Sequence, residues 1–281
     1  MTLNLSLSQL VLAASMVLVA MAISTWQHLG LTKSLAIGAV RGTVQLIFMG
    51  YVLVTVFRIN EPLLIGLLMV LMVILAAHTA AGRQKENKGD KKRVAYFAFI
   101  SILISTTLTL FFVSQVVIDV DPWYSPQYLI PLAGMVIANS MNAAALGAER
   151  FASELCARRH HVEALLALGA SPKEACEALM RKAVGAAMMP TISALMVVGL
   201  VSLPGMMSGQ ILSGVSPLLA VRYQLVVQFM IVSAAAMTSV MMVIFYARSF
   251  FDHEAQSLDL NCQKAFKNST DKALYVSTGG I

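Results

Sequence analysis

About seven stretches of this chain stay apolar for long enough to cross a hydrocarbon core of roughly 30 Å as helices of about 20 residues, which fixes the fold class before any motif is read. They fall near Leu7 to Trp26, Leu35 to Phe57, Pro62 to Ala81, Val94 to Val117, Gln127 to Leu146, Ala183 to Leu203 and Leu218 to Ala247. Backbone polar groups in lipid must be satisfied within the segment, so runs of this length specify helices. Apolar residues make up 58% of the chain and charged residues 12%, against roughly a quarter charged in a soluble domain. The sequence therefore describes an all-α, polytopic membrane protein. A transmembrane domain covers 1–250, with a cytoplasmic insertion at 149–182, and a mobile polar tail covers 251–281.

Short loops rich in Lys and Arg stay in the cytoplasm. Arg83, Lys85, Lys88, Lys91, Lys92 and Arg93 form one basic loop, and Arg150, Arg158, Arg159, Lys173, Arg181 and Lys182 mark a second. The tail adds Arg248, Lys264, Lys267 and Lys272. All three fall on one side of a seven-span arrangement, while Glu61, Asp119 and Asp121 fall on the other with Arg58 as the basic exception. This predicts an N-terminus outside and a C-terminus in the cytoplasm, in a multi-pass protein of the cell inner (plasma) membrane. The basic balance reads as a topology signal and an attraction to anionic lipid, not as a nucleic-acid footprint. Ala20-Met-Ala22 resembles a signal-peptidase site, but no Lys or Arg precedes Lys33, so the first span is read as an uncleaved helix. Cys156, Cys176 and Cys262 share the cytoplasmic side without a Cys-x-x-Cys pair, and no disulfide is expected. Adjacent His160 and His161 point to different helix faces and lack zinc-ligand spacing.

Between the fifth and sixth spans lies a polar island, Phe151 to Lys182. Gly169 suits the left-handed conformation that ends a helix, Ser171 caps the next, Pro172 fits its first position and Glu174 completes a capping box. The segment reads as helix, glycine stop, helix: a docking element, or alternatively an amphipathic linker lying on the bilayer. Inside the spans, Arg41 is the clearest ionisable residue, and Gln45 follows one turn later on the same face. Asn139, Ser140 and Asn142 lie at comparable depth on the fifth span, where Arg41 is expected to reach them, either lining a cavity or bridging helices. Downstream, Pro204-Gly205-Met206-Met207-Ser208-Gly209 is expected to break helical structure near the outer face, as an outer gate or a tight loop.

Glu163-Ala164 followed by Gly169 resembles the coupling loop of ABC transporter permeases. With Val40-Arg41-Gly-Thr-Val-Gln45, Pro131-Leu-Ala-Gly134-Met135, Ala167-Leu-Gly169-Ala170-Ser171-Pro172 and Pro204-Gly205-Met206-Met207-Ser208-Gly209-Gln210, the chain is similar to the iron-export ABC permease family of bacteria, to which plant aluminium-tolerance permeases belong. The resemblance covers roughly residues 35 to 248. It implies a homodimer of membrane subunits driven by a separate ABC ATPase, with Glu163, Ala164, Gly169, Ala170, Ser171, Pro172 and Glu174 as docking residues. Arg41, Gln45, Met135, Asn139 and Asn142 become the candidate translocation path. The island ends in Leu179-Met-Arg181-Lys182 where importer permeases carry an apolar-x-Leu-Pro signature.

The chain has no G-x-x-x-x-G-K-[ST] phosphate loop, so hydrolysis of ATP, with its Mg, is expected on the partner chain; this chain is a transport subunit, binds no cofactor and is not an enzyme. The transported metal or small solute is less legible. Bare iron calls for carboxylates, imidazoles or thiolates converging in the spans, which hold almost none, and no metal site is assigned. Eighteen methionines are present, but thioethers suit soft cations rather than ferric iron or aluminium. A buried Arg favours a chelated, net-anionic metal or another anionic solute such as a nucleotide sugar. An ion-coupled secondary carrier is disfavoured by the lack of a mid-membrane Asp or Glu. An intramembrane enzyme is disfavoured too, since Ser208 has no histidine placed to activate it.

Overall fold

A computed structural model of the protein describes residues 6–83, 91–117, 122 and 124–251. Nine α-helices are formed among them: α1 (Leu7–Trp26), α2 (Thr32–Ile59), α3 (Pro62–Gly82), α4 (Lys91–Phe112), α5 (Pro126–Ala157), α6 (Arg159–Ala167), α7 (Pro172–Val197), α8 (Gly205–Leu212) and α9 (Pro217–Arg248). A π-helical turn, Val113–Val117, extends α4. Thr32–Ile59, Pro62–Gly82, Lys91–Val117, Pro126–Ala157 and Pro217–Arg248 are long and apolar enough to cross a membrane, and α1 adds the shorter run Leu12–Trp26. The remaining predicted span is α7, whose first turns are polar. Lys85, Lys88, Asp119, Asp121, Cys262 and the tail from Asp252 onward lie outside the described residues.

α5 is the hub, packing on α3, α4, α7 and α9. Its contact faces set small residues among larger ones such as Leu132, Val136 and Ile137. Ala133, Ala143, Ala144, Ala145, Gly147 and Ala148 are buried on α5, facing a bundle that also buries Ala76, Ala77, Ala80 and Ala81 of α3 and Ala234 and Ala235 of α9. In lipid no hydrophobic force draws apolar helices together, so close backbone approach and dispersion take over that role, and small side chains allow it. Gly147 marks the tightest approach: a Cβ there would meet Val243 Cγ2 at 3.2 Å and Ala187 Cβ at 3.6 Å. Between α4 and α9, the buried hydroxyls of Ser105 and Thr238 lie 2.6 Å apart in a hydrogen bond. α2 stands aside, with only 6% of its apolar window buried in the single chain.

The bundle continues past the apolar spans into an end rich in Arg and Lys. There Phe151, Tyr246 and Phe250 stack edge to face or tilted, with centroids 6.3 Å (Phe151 to Tyr246), 4.8 Å (Tyr246 to Phe250) and 6.0 Å (Phe151 to Phe250) apart. Leu155, Val162, Cys176 and Leu179 are buried beside them. Glu154 pairs with Arg150 at 2.8 Å and Arg158 at 3.5 Å on α5, and with Lys182 of α7 at 3.8 Å.

The island's helices are continuous with the spans: α5 runs unbroken to Ala157 and α7 unbroken from Pro172 to Val197, where charges paired four residues apart, such as Arg181 with Glu177 at 2.6 Å, sustain helix outside lipid. One expectation needs correction: the sixth span stops at Val197 rather than Leu203, since Gly199 turns left-handed at φ 85° and Val198 bridges to Ser202. The expected break in helical structure is present at Pro204, whose backbone is extended, with Gly205 and Gly209 inside the short α8 between that break and the connection 213–216. A further basic residue, Arg222 in the second turn of α9, joins Arg58 at the otherwise acidic end.

Candidate docking hairpin and translocation path

α6 ends in a glycine-closed turn. The amide of Ala170 donates to Leu165 O at 3.0 Å and that of Gly169 to Leu166 O at 3.0 Å, the pair of bonds that defines a Schellman motif. Gly169 sits at φ 91°, a conformation that costs an L-residue about 1–2 kcal/mol. Two residues on, Ser171 opens α7 with a capping box: Glu174 N donates to Ser171 Oγ at 3.3 Å, while Ser171 N donates to Glu174 Oε2 at 2.8 Å. The Ser171 hydroxyl, which also donates to that carboxylate at 2.7 Å, together with the backbone bond holds the Glu174 carboxyl below its usual pKa. The island's helix, glycine stop and capped helix are thus present residue for residue.

Of the proposed docking residues, Glu163 is engaged by Arg159 Nε at 2.6 Å and lies 3.7 Å from His160 Nδ1. Ala164, Gly169, Ser171 and Glu174 are exposed, while Ala170 and Pro172 are half-buried. The residue that sequence reasoning missed is Leu168, a large apolar side chain 84% exposed at the hairpin tip. Its signal was present, as the residue just before the glycine stop.

The path residues divide. Asn139 and Asn142 of α5 line a cavity of about 250 Å³ together with Pro190 and Thr191 of α7 and Gln228 of α9. Asn139 Nδ2 donates to Met135 O at 2.9 Å, and Met135 packs on the core. Pro190, inside α7, offers no N–H to the carbonyl of Ala186, leaving an acceptor beside the cavity. Arg41 and Gln45 do not join this group. They are exposed on α2, and the cation that reaches Asn142 is Arg83, whose Nη1 donates to Asn142 Oδ1 at 2.8 Å. The reason is placement: α3, not α2, lies along the α5 hub. In the proposed outer gate, Ser208 Oγ donates to Pro204 O at 3.2 Å within α8, and Met206 packs on the core. Ser140 is fully buried with its Oγ lacking a partner among the described residues. No cluster of three or more His, Cys, Asp or Glu suited to a metal occurs among the described residues.

Comparison with known proteins places these features. The profile of an uncharacterised protein family, UPF0014, matches residues 7–251. The chain belongs to UPF0014. A UPF0014 membrane protein of Synechocystis sp. is 38% identical over 239 residues, 85% of this chain and 91% of its own length. The Escherichia coli protein named "Probable iron export permease protein FetB" is 34% identical over 253 residues, 90% of this chain and 95% of its own length. The Arabidopsis thaliana protein ALUMINUM SENSITIVE 3 is 34% identical over 239 residues, 85% of either chain. No solved structure matches. With helices of membrane-crossing length, UPF0014 membership makes the chain a multi-pass membrane protein.

Proposed function

We propose that the chain is the membrane-spanning subunit of an ATP-binding cassette exporter, working as a homodimer with a separate ATPase in the cell inner membrane, and carrying iron or another metal ion. The observation that carries this reading is the hairpin: Leu168 exposed at a Schellman-closed tip, on a segment whose second helix is one piece with the Pro172–Val197 span. A seat for a foreign protein and a stiff rod into the membrane are what force transmission requires.

Closure of the ATPase pair moves the hairpins, and α7 carries that displacement to the cavity at Asn139, Asn142 and Thr191, switching it between inward and outward access. The basic end is cytoplasmic on this reading, in keeping with the Lys and Arg bias. In the homodimer, α2 meets its counterpart and covers Arg41 and Gln45, which on the single chain stand exposed among apolar neighbours. The direction and the cargo follow the name of the Escherichia coli relative. Arg83 beside Asn142 favours a second cargo, an anionic solute or a chelated metal of net negative charge, over a bare cation.

The test is co-expression with the ATPase. Glu163→Lys, which places a cation against Arg159, and Gly169→Pro, which fixes φ at a negative value, are each expected to abolish ATPase co-purification and export while the chain still inserts. Wild-type export by both variants would refute the docking role.

A further inference from the structure

α9 carries a pair of amides that packing alone does not explain. Gln224 and Gln228 sit one helical turn apart on the same face, and each is only 8% exposed. At 1.5 Å per residue they lie roughly 11 and 17 Å from Pro217, well inside an apolar helix. Gln228 lines the Asn139–Asn142 cavity. Gln224 is the next polar residue toward α8, and its buried Oε1 has no donor among the described residues. Gln210 of α8 is in the same condition, its Oε1 buried and unpartnered. α8 follows α7 and packs against α9, to which the short connection 213–216 joins it, so Gln210 is carried on the helix that meets the one bearing Gln224 and Gln228.

A buried carbonyl oxygen without a donor is unfavourable, and in a membrane span water or a solute must supply the missing hydrogen. We infer that Gln228, Gln224 and Gln210 form the α8-side half of the translocation path, continuing the cavity as a file of neutral carboxamides. The inference rests on the permease reading above and adds what the path recognises. Carboxamides donate and accept without formal charge, and the free groups here are acceptors. They fit a cargo that presents O–H or N–H donors, such as a chelated metal that keeps coordinated water, rather than a cation stripped to protein ligands. Arg83, bonded to the cavity residue Asn142, requires in addition that this chelate carry no net positive charge.

The experiment has two arms on the full-length chain with its ATPase. In the first, Gln224→Cys and Gln228→Cys are made singly in a background where Cys156, Cys176 and Cys262 are alanine, and membranes are treated with a small charged methanethiosulfonate. Labelling at both positions is expected, with Ala235→Cys in the packed core and Phe229→Cys on the outer face of α9 unlabelled. Absence of labelling at both glutamine positions, with and without ATP, overturns a wet path. This arm needs no knowledge of the cargo. In the second, Gln224→Leu and Gln228→Leu are expected to reduce export of radiolabelled iron from vesicles by roughly tenfold each, the effect of one lost hydrogen bond to cargo. ATPase co-purification reports that these chains are folded. Export within twofold of wild type for both variants overturns recognition by the amides. Failure of the unmodified chain to retain its ATPase would sink the docking reading instead, and the labelling result would stand independently.

Discussion

Leu168 provides the sharpest test of the hairpin. The side chain is 84% exposed, so replacing it removes almost no contact within the chain, and a surface change of that kind alters stability by about 0.5 kcal/mol or less. If the tip seats in a groove of the ATPase, that exposed area becomes buried on docking, where a leucine contributes about 1.5–3 kcal/mol. Leu168→Ser is therefore expected to weaken the ATPase complex by about 2 kcal/mol per hairpin, or roughly thirtyfold in Kd. The assay is titration of detergent-solubilised permease with labelled ATPase, with thermal unfolding of the permease alone as the control. Unchanged affinity with unchanged stability would refute docking at the tip. Unchanged affinity with loss of membrane-surface attachment would favour a linker helix lying on the bilayer.

Other perturbations isolate single features. Gly169→Ala introduces a Cβ into open space, with nothing within 4 Å, so its cost is backbone alone; about 1–2 kcal/mol is expected as faster hydrogen exchange at the Gly169 and Ala170 amides, with a smaller cost for Gly169→Asn. Burial pushes the Cys176 thiol up to about 11, so the reactive thiolate is scarce at neutral pH and increases only as pH rises toward that value. Alkylation at pH 8 should run about a hundredfold slower than for an exposed cysteine and gain close to tenfold per pH unit, as mass spectrometry would show. Topology labelling is therefore better done at an exposed position such as Ala178. Ser105→Ala and Thr238→Val should each cost about 1 kcal/mol but together less than the sum, a coupling readable in a double-mutant unfolding cycle.

The spans were legible because lipid imposes a length and a composition that few other structures meet, and the Thr32–Ile59, Pro62–Gly82 and Pro217–Arg248 helices follow the apolar runs to within a few residues. The hairpin was legible because its chemistry is local: Gly169, Ser171 and Glu174 interact across three or four residues. Adjacency was not. Whether Asn142 meets Arg41 or Arg83 depends on which helix flanks α5, and apolar helices carry little pattern to select a neighbour. Gln224 and Gln228 did leave a trace, two glutamines one turn apart in an apolar run. A neutral amide in an apolar run stands out less than the formal charge of Arg41, which is why the sequence points first to α2.

The alanines that line the meeting faces of α3, α5 and α9 have a mechanical consequence. Interlocked leucines must change rotamer before two rods can slip past one another, whereas stretches where methyl groups meet present shallow relief. Travel along those stretches disturbs few side-chain torsions, while the larger side chains between them, Val136 and Ile137 of α5 and Met242 and Val243 of α9, act as detents that set where such travel stops.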